Sequence, residues 1–570
     1  MIRAATARDS RAGGLFPLCV LATAIGCGGA DPGGTGAPTD DDASADATDS
    51  SVVDASSDVD ASSDTDASSQ ADASVDADDG SDADTGVADS TLAVYEGLPG
   101  GLYQSDKYVV TVGIAGQAEQ ASYVYETEND NNPGEWGLFQ WANHWTSFSF
   151  SGSVTVKVTV LAKTSVSSSV LRPGNRGLTG LSGNTITFTI DTPGNYYVEV
   201  DDDLSLEPLF LFANPPETNV PSTSNPGVAV LQPGSHEPGA LWEAGTDIVY
   251  FAPGLHDLGT SAPLPIPAGK QVYFAGGAFV RGILFLEDGT GTVVNGRGIL
   301  SGIEYPATTW GNTPMIDGLR WGARMGVHLE GLTLVDAPGI NAFVEGNDQS
   351  EVVIDNLKLM SWHDQTDGLG GAPNTIIQNC FLKVFDDQLH LTRQNVRLYD
   401  NAVWLQGQGS AIQMGWNAAD STTSNHVDGL YLIHDNMHTS GFDDDHRNSN
   451  IVSMRELRGG ATRANIVFEN IVQEGGNLYQ AFGIRLNEPW FGGSYGQGNG
   501  SLSEITFRNV TVGGLPRYRS VFNGEGSVSG TQISGVRFEN VTFGGQPLTS
   551  ANAGAFLDVQ NQCDDFTYTP

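Results

Sequence analysis

The sequence predicts an all-β chain: an N-terminal β-sandwich followed by a right-handed parallel β-helix. Three observations carry this reading. Tyr108-Val109-Val110-Thr111-Val112, Val154-Thr155-Val156-Lys157-Val158-Thr159-Val160, Thr185-Ile186-Thr187-Phe188-Thr189-Ile190 and Tyr196-Tyr197-Val198-Glu199-Val200 alternate with period two or run β-branched, between Gly, Pro, Asn and Asp turns. Next, Val353-Ile354-Asp355-Asn356, Ile376-Ile377-Gln378-Asn379 and Arg397-Leu398-Tyr399-Asp400-Asn401 place their asparagines 23 and 22 residues apart. A strand-turn unit of that period stacks into a solenoid. Finally, no long helical periodicity competes.

Each segment follows in chain order. At 570 residues the chain is too long for one core, so two folded domains plus appendages are expected. Residues 1–27 read as a lipoprotein-type export signal. Arg3, Arg8 and Arg11 precede an apolar run, Leu15 to Gly26, too short for a permanent anchor. The run ends Ala24-Ile25-Gly26-Cys27, which resembles a bacterial lipobox whose cysteine receives the lipid. That implies an exported, cell-surface or outer-membrane lipoprotein; an ordinary secretory signal is the alternative. Residues 28–90 carry 18 Asp and no Lys or Arg. They bury too little apolar surface to fold, and their like charges keep them extended as a linker. Residues 91–217 form the sandwich, leaving through Pro208-Leu209-Phe210-Leu211-Phe212.

Residues 218–570 form the β-helix. Val327-His328-Leu329-Glu330-Gly331, Ile466-Val467-Phe468-Glu469-Asn470, Ile505-Thr506-Phe507-Arg508-Asn509 and Val536-Arg537-Phe538-Glu539-Asn540 repeat the strand and its corner. Asparagine tolerates the left-handed corner, and its amide can bond the next coil's asparagine. A second antiparallel sandwich would leave these corners unexplained.

The net charge is -42 at pH 7, which makes nucleic acid and anionic membranes poor partners. A neutral polysaccharide is compatible, with the chain acting as a monomer. Cys380 follows Asn379 in an apolar strand and reads as a buried free thiol; with Cys563 it makes neither a disulfide framework nor a zinc site.

The chemistry lies in Gln365-Thr366-Asp367-Gly368 and Phe385-Asp386-Asp387-Gln388. Residues a coil apart become neighbours, so Asp367, Asp386 and Asp387 converge on one face. Converging carboxylates cannot all ionise freely, so one keeps a raised pKa, as glycosidic-bond hydrolysis requires of its acid. Asp386 and Asp387 point to opposite faces of a regular strand unless the backbone bulges.

These motifs resemble glycoside hydrolase family 49, the dextranase and isopullulanase family. Tyr250-Phe251-Ala252-Pro253-Gly254, Ala278-Phe279-Val280-Arg281-Gly282 and Gly298-Ile299-Leu300-Ser301-Gly302 look like that family's first coils. The two Asp motifs, then Ile412-Gln413-Met414-Gly415-Trp416, follow in its order. The resemblance implies inversion at the anomeric carbon of an α-glucan such as dextran, with Asp386 as general acid and Asp367 and Asp387 holding the water. His390 departs from it, standing where the family's dextranases have a lysine. Gln408 stands where the related polygalacturonases have a histidine, and Arg485-Leu486-Asn487 lacks their uronate-reading lysine.

Substrate contacts are expected from His390, Gln365, Gln413, Trp416 and Arg485, with Trp362 as a second stacking platform. His363 and Asp364 are either subsite groups or solvated. Asp443-Asp444-Asp445-His446 reads as a solvated loop or groove rim; calcium is possible there by composition but not indicated. No zinc, phosphate or nucleophilic-serine motif is present, so no cofactor and no metal is expected. The competing readings are a polysaccharide lyase, which needs an acidic sugar and a basic residue, and a non-catalytic surface glycan binder.

Overall fold

The computed structural model describes residues 90–570 except 128–141, 175–176, 307–313, 319–323, 364, 416–417, 419, 436–448, 476–477, 487–498 and 525–529. The export signal with Cys27, residues 28–89, Asp364, Trp416, the Asp443–His446 cluster and the glycine-rich run 491–496 therefore lie outside the described residues. Ala88–Pro570 is one compact unit.

Two sheets open the unit. One holds Thr91–Val94, Val124–Glu126, His144–Ser151, Ser169–Arg172, Gly194–Val200 and Leu209–Asn214; the other holds Tyr108–Gly113, Gln120–Ser122, Val154–Val160, Leu178–Ser182 and Thr185–Ile190. Every pairing is antiparallel except Leu209–Asn214 beside His144–Ser151. Val154–Val160 has the expected one-sided burial: its valines are buried while the alternate Thr155, Lys157 and Thr159 are part-exposed. Val110, Val156, Val158 and Phe188 from one sheet share a core with Phe148, Phe150, Leu171 and Leu211 from the other.

Leu209–Asn214 is buried on both faces. Leu209, Leu211 and Ala213 enter that core. Phe210 and Phe212 turn the other way, onto Phe381 and Trp404 of the following solenoid, with ring centroids 4.7 Å apart for Phe210–Phe381 and 5.7 Å for Phe210–Trp404. Buried polar groups join the same interface. Lys358 donates to Asn214 Oδ1, and Asn195 Nδ2 donates to Asn379 O at 2.8 Å.

The solenoid is a parallel β-helix. A coil contributes three short strands, as in Val352–Asp355, Lys358–Met360 and Leu369–Gly371, stacked under Ile376–Gln378, Phe381–Lys383 and Leu389–His390. Inward residues line up coil on coil (Ile354 with Ile377 and Leu398, Leu359 with Leu382 and Val403), giving one continuous apolar core. Cys380 is buried in it as a free thiol, and Cys563 is also unpaired.

The corners follow the expected asparagine rule with one shift. Asn356 and Asn379 take φ of 54° and 55°. Asn540 donates to Asn509 at 2.9 Å, and Asn509 to Asn470 at 3.0 Å. In the third repeat, however, Asp400 takes the corner with φ of 50°, and Asn401 is buried. Its amide bonds Ile377 O at 3.0 Å and the Cys380 N–H at 3.0 Å. Gln378 pairs with Tyr399, so the register puts Asp400, not Asn401, above Asn379.

Candidate active site

Six strands position the site: β1 Ala342–Val344, β2 Leu369–Gly371, β3 Leu389–His390, β4 Ile412–Gln413, β5 Asn450–Met454 and β6 Gln480–Arg485. They are successive neighbours in one eleven-stranded parallel sheet. Leu369 pairs with Leu389, and Leu389 with Ile412. Asp367, Asp387 and Ser410 each lie two residues earlier, so they fall on three successive coils about 4.8 Å apart.

Close approach of coils fixes this ladder. The Gly368 N–H donates to Asp387 O at 2.8 Å. A Cβ at Gly368 would lie 2.0 Å from Gln388 O, so the glycine of the first motif is there for the next coil's backbone. Gly409 serves the coil above. It has φ of +95°, and a Cβ there would stand 2.3 Å from the Asp386 carbonyl carbon and 2.5 Å from Asp387 N.

Asp386 and Asp387 do not alternate across a strand. The strand Phe381–Lys383 ends before them, and the backbone bends at Phe385 and Asp386 before β3 begins. Gln388 clamps the bend. Its fully buried amide donates to Val384 O and Asp386 O, both at 2.9 Å, and accepts from Val384 N at 3.2 Å. Thr366 braces the other side, accepting from Phe385 N at 3.2 Å and donating to His363 O at 2.8 Å.

The three carboxyls have different surroundings. The donors to Asp387 include Ser410 N at 2.7 Å and Ser410 Oγ at 2.9 Å on Oδ1, and Gln413 Nε2 at 3.1 Å on Oδ2. Asp386 Oδ2 accepts from Gln408 Nε2 at 3.0 Å. Asp367 carries the raised proton affinity: burial first, then the Asp386 and Asp387 charges, hold its carboxyl well above the usual range. The clustering effect expected from sequence thus falls on Asp367, whereas the resemblance gives the acid's role to Asp386.

His390 stands beside this group. Its Nε2 lies 3.9 Å from Asp367 Oδ2, and its ring meets Phe343 edge-on with centroids 4.6 Å apart. Burial lowers its pKa, which favours the neutral imidazole. Asp367, Asp387 and His390 each offer an atom within 4.8 Å of the others.

The remaining expected contacts divide. Gln413 is fully buried, and its amide is spent on Asp387 and on Gly415 N at 2.9 Å; it reaches the site through a carboxylate. Gln365 is half-buried at a left-handed turn with φ of 63°. Arg485 is buried and donates to Gln480 Oε1 at 3.3 Å, three strands beyond β3. Trp362 is half-buried and tilted against His363, centroids 5.8 Å apart; His363 bonds Asp336 at 2.8 Å. Sequence reasoning missed Ser410 and the clamp of Gln388. The 23-residue step from Asp387 to Ser410 matches the coil period and was the available signal.

No family model matches the chain. Its curated relatives include a dextranase of Arthrobacter globiformis, 27% identical over 329 residues, covering 52% of this chain and 50% of the relative. An isopullulanase of Aspergillus niger is 28% identical over 328 residues, covering 51% and 57%. The family resemblance is borne out. The chain spans about half the length of the curated relatives it matches. Among solved structures, Dex49A from Penicillium minioluteum superposes with a TM-score of 0.60 at 19% identity, covering 81% of this chain and 94% of that one. That likeness supports the right-handed β-helix fold.

Proposed function

We propose that this protein is an inverting glycoside hydrolase that cleaves an α-glucan of the dextran type. The observation that carries the reading is the stacked Asp367–Asp387 pair with Asp386 beside it on a clamped bend. Asp386 donates its proton to the leaving glycosidic oxygen as the bond to the anomeric carbon breaks. A water lone pair forms the new bond from the opposite face, and the water's proton passes to a carboxylate of the Asp367–Asp387 pair. A raised proton affinity at Asp367 suits the acceptor of that proton. The dextranase and isopullulanase names of the relatives support the α-glucan. Export of the protein, with a lipid on Cys27, would bring it to a polymer too large to enter a cell.

The test is product stereochemistry. Proton NMR of a dextran digest, read before mutarotation, is expected to show the β-anomer first. An α-anomer in the first spectra would overturn the inverting assignment. Unsaturated product absorbing in the ultraviolet would point to a lyase, and binding without reducing ends to a glycan-binding protein.

A further inference from the structure

Within the cluster, His390 carries a buried polar atom with nothing to bond. Its Nε2 is buried and has no hydrogen-bond partner among the described residues. A buried ring nitrogen without a partner is costly, so its persistence points to a group absent from the bare chain. The surroundings say which kind. Phe343 covers one edge of the ring. The space for Phe343 comes from Gly370, where a Cβ would lie 2.4 Å from the Phe343 ring. The ring is thereby held in place with Nε2 3.9 Å from Asp367 Oδ2, in the group that Asp387 completes.

We infer that His390 is the third ligand of the attacking water, donating a hydrogen bond to its oxygen while Asp367 and Asp387 accept its two protons. Three atoms within 4.8 Å of one another share a point within about 2.8 Å of each, the length of an ordinary hydrogen bond. A water there is oriented completely: both hydrogens face carboxylates, one lone pair faces the imidazole N–H, and the other is left for the anomeric carbon. Two carboxylates facing Nε2 repel a lone pair, which favours the tautomer with the proton on Nε2. Lowering of the His390 pKa by burial is consistent with a neutral donor.

Water and metal differ in the ligand spacing they need. Neighbouring ligands of tetrahedral zinc stand about 3.3 Å apart, whereas ligands around a hydrogen-bonded water stand about 4.6 Å apart. Nε2 and Asp367 Oδ2, 3.9 Å apart, fall between the two spacings, so the chelator arm of the test below decides between a water and a metal held by the same three residues.

The inference rests on the hydrolase reading, and its test keeps the two apart. His390→Ala and His390→Gln are assayed on dextran and on α-isomaltosyl fluoride, whose leaving group needs little protonation. With the water misplaced, kcat of the alanine variant is expected to fall about 100-fold on both substrates. KM changes little, glutamine restores part of the loss through its own N–H, and chelator has no effect on the wild type. Asp386→Asn is the contrast: its loss shrinks on the fluoride. A wild-type crystal structure should show solvent within about 3 Å of Nε2 and both carboxylates.

Four results overturn the inference while leaving the hydrolase standing. They are unchanged kcat, a rise in KM alone, recovery of His390→Ala by the fluoride, and no solvent at that point. Loss of wild-type activity to chelator would replace the water with a metal. A wild type that turns over neither substrate overturns the hydrolase reading, and the role of His390 with it. Melting temperatures report whether either variant has lost its fold.

Discussion

At the scale of single residues, the three carboxyls of the site differ in what surrounds each. Asp386→Asn keeps the shape of the side chain and can still meet Gln408, but it has no proton to give. Turnover of dextran is expected to fall by about 10²–10⁴-fold, with the far-ultraviolet spectrum and glycan binding retained. Near-normal hydrolysis would remove Asp386 from the acid's role. Asp367 makes a second prediction, on stability. Its folded pKa is raised, so between the unfolded value near 3.9 and the raised value the native state binds more protons than the unfolded chain. Stability therefore falls as pH rises through that window, and below it no penalty remains. Asp367→Asn should melt higher than wild type at pH 7 while losing activity, and the gap should close towards pH 3. Equal melting at pH 7, or a gap that widens in acid, would contradict the raised proton affinity. The carboxyl trio was legible in sequence because the coil period places residues 20 apart side by side. The direction of each side chain was not, because it depends on a bend in the backbone.

At the scale of elements, that bend between the strand Phe381–Lys383 and β3 decides the site. Gln388 spends its buried amide on Val384 and Asp386. Gln388→Ala leaves the Val384 and Asp386 backbone groups without these partners, each at a cost of about 1–3 kcal/mol. It should lower kcat with little change in KM, since the carboxyls lose their alignment and the subsites do not. A variant that melts normally and is fully active would show that the bend holds itself. Gly409→Ala sets a left-handed backbone and a collision with the Asp386–Asp387 peptide against the fold. It should be far more damaging than Gly554→Ala, where a Cβ meets nothing within 4 Å. Comparable melting temperatures for the two would argue that the coils are not tightly stacked at the site.

At the scale of the whole molecule, the two-sheet region and the solenoid share an aromatic interface. Phe279, Met360, Phe381 and Trp404 on the solenoid face Tyr125, Trp145, Phe210 and Phe212. Buried charge accompanies it: burial pulls Lys383 down to about 7, and Lys358 well below its ordinary value. Residues 218–570 alone would expose this face, and are expected to aggregate or melt well below the whole unit. A chain beginning at Ser90 keeps the interface and should retain full activity and melting temperature. Soluble, equally stable 218–570 would show that the interface is dispensable. A fall of several degrees on removing residues 28–89 would contradict their reading as a linker.

Periodicity alone determined the architecture. Period-two valines specify sheets with one buried face, and a corner residue every 21 to 23 positions specifies stacked coils, because both follow from local backbone geometry repeated along the chain. The same period brought Asp367 and Asp387 together. What only the tertiary structure decided came from contacts between coils. The shift of the corner from Asn401 to Asp400, the bend that turns Asp386 and Asp387 to one site, and the turning of Gln413 onto a carboxylate are all of this kind. So is the burial of His390 Nε2 beside Asp367. Each depends on which backbone atom of the next coil lies within bonding distance, and that is set by register, a property of no single segment.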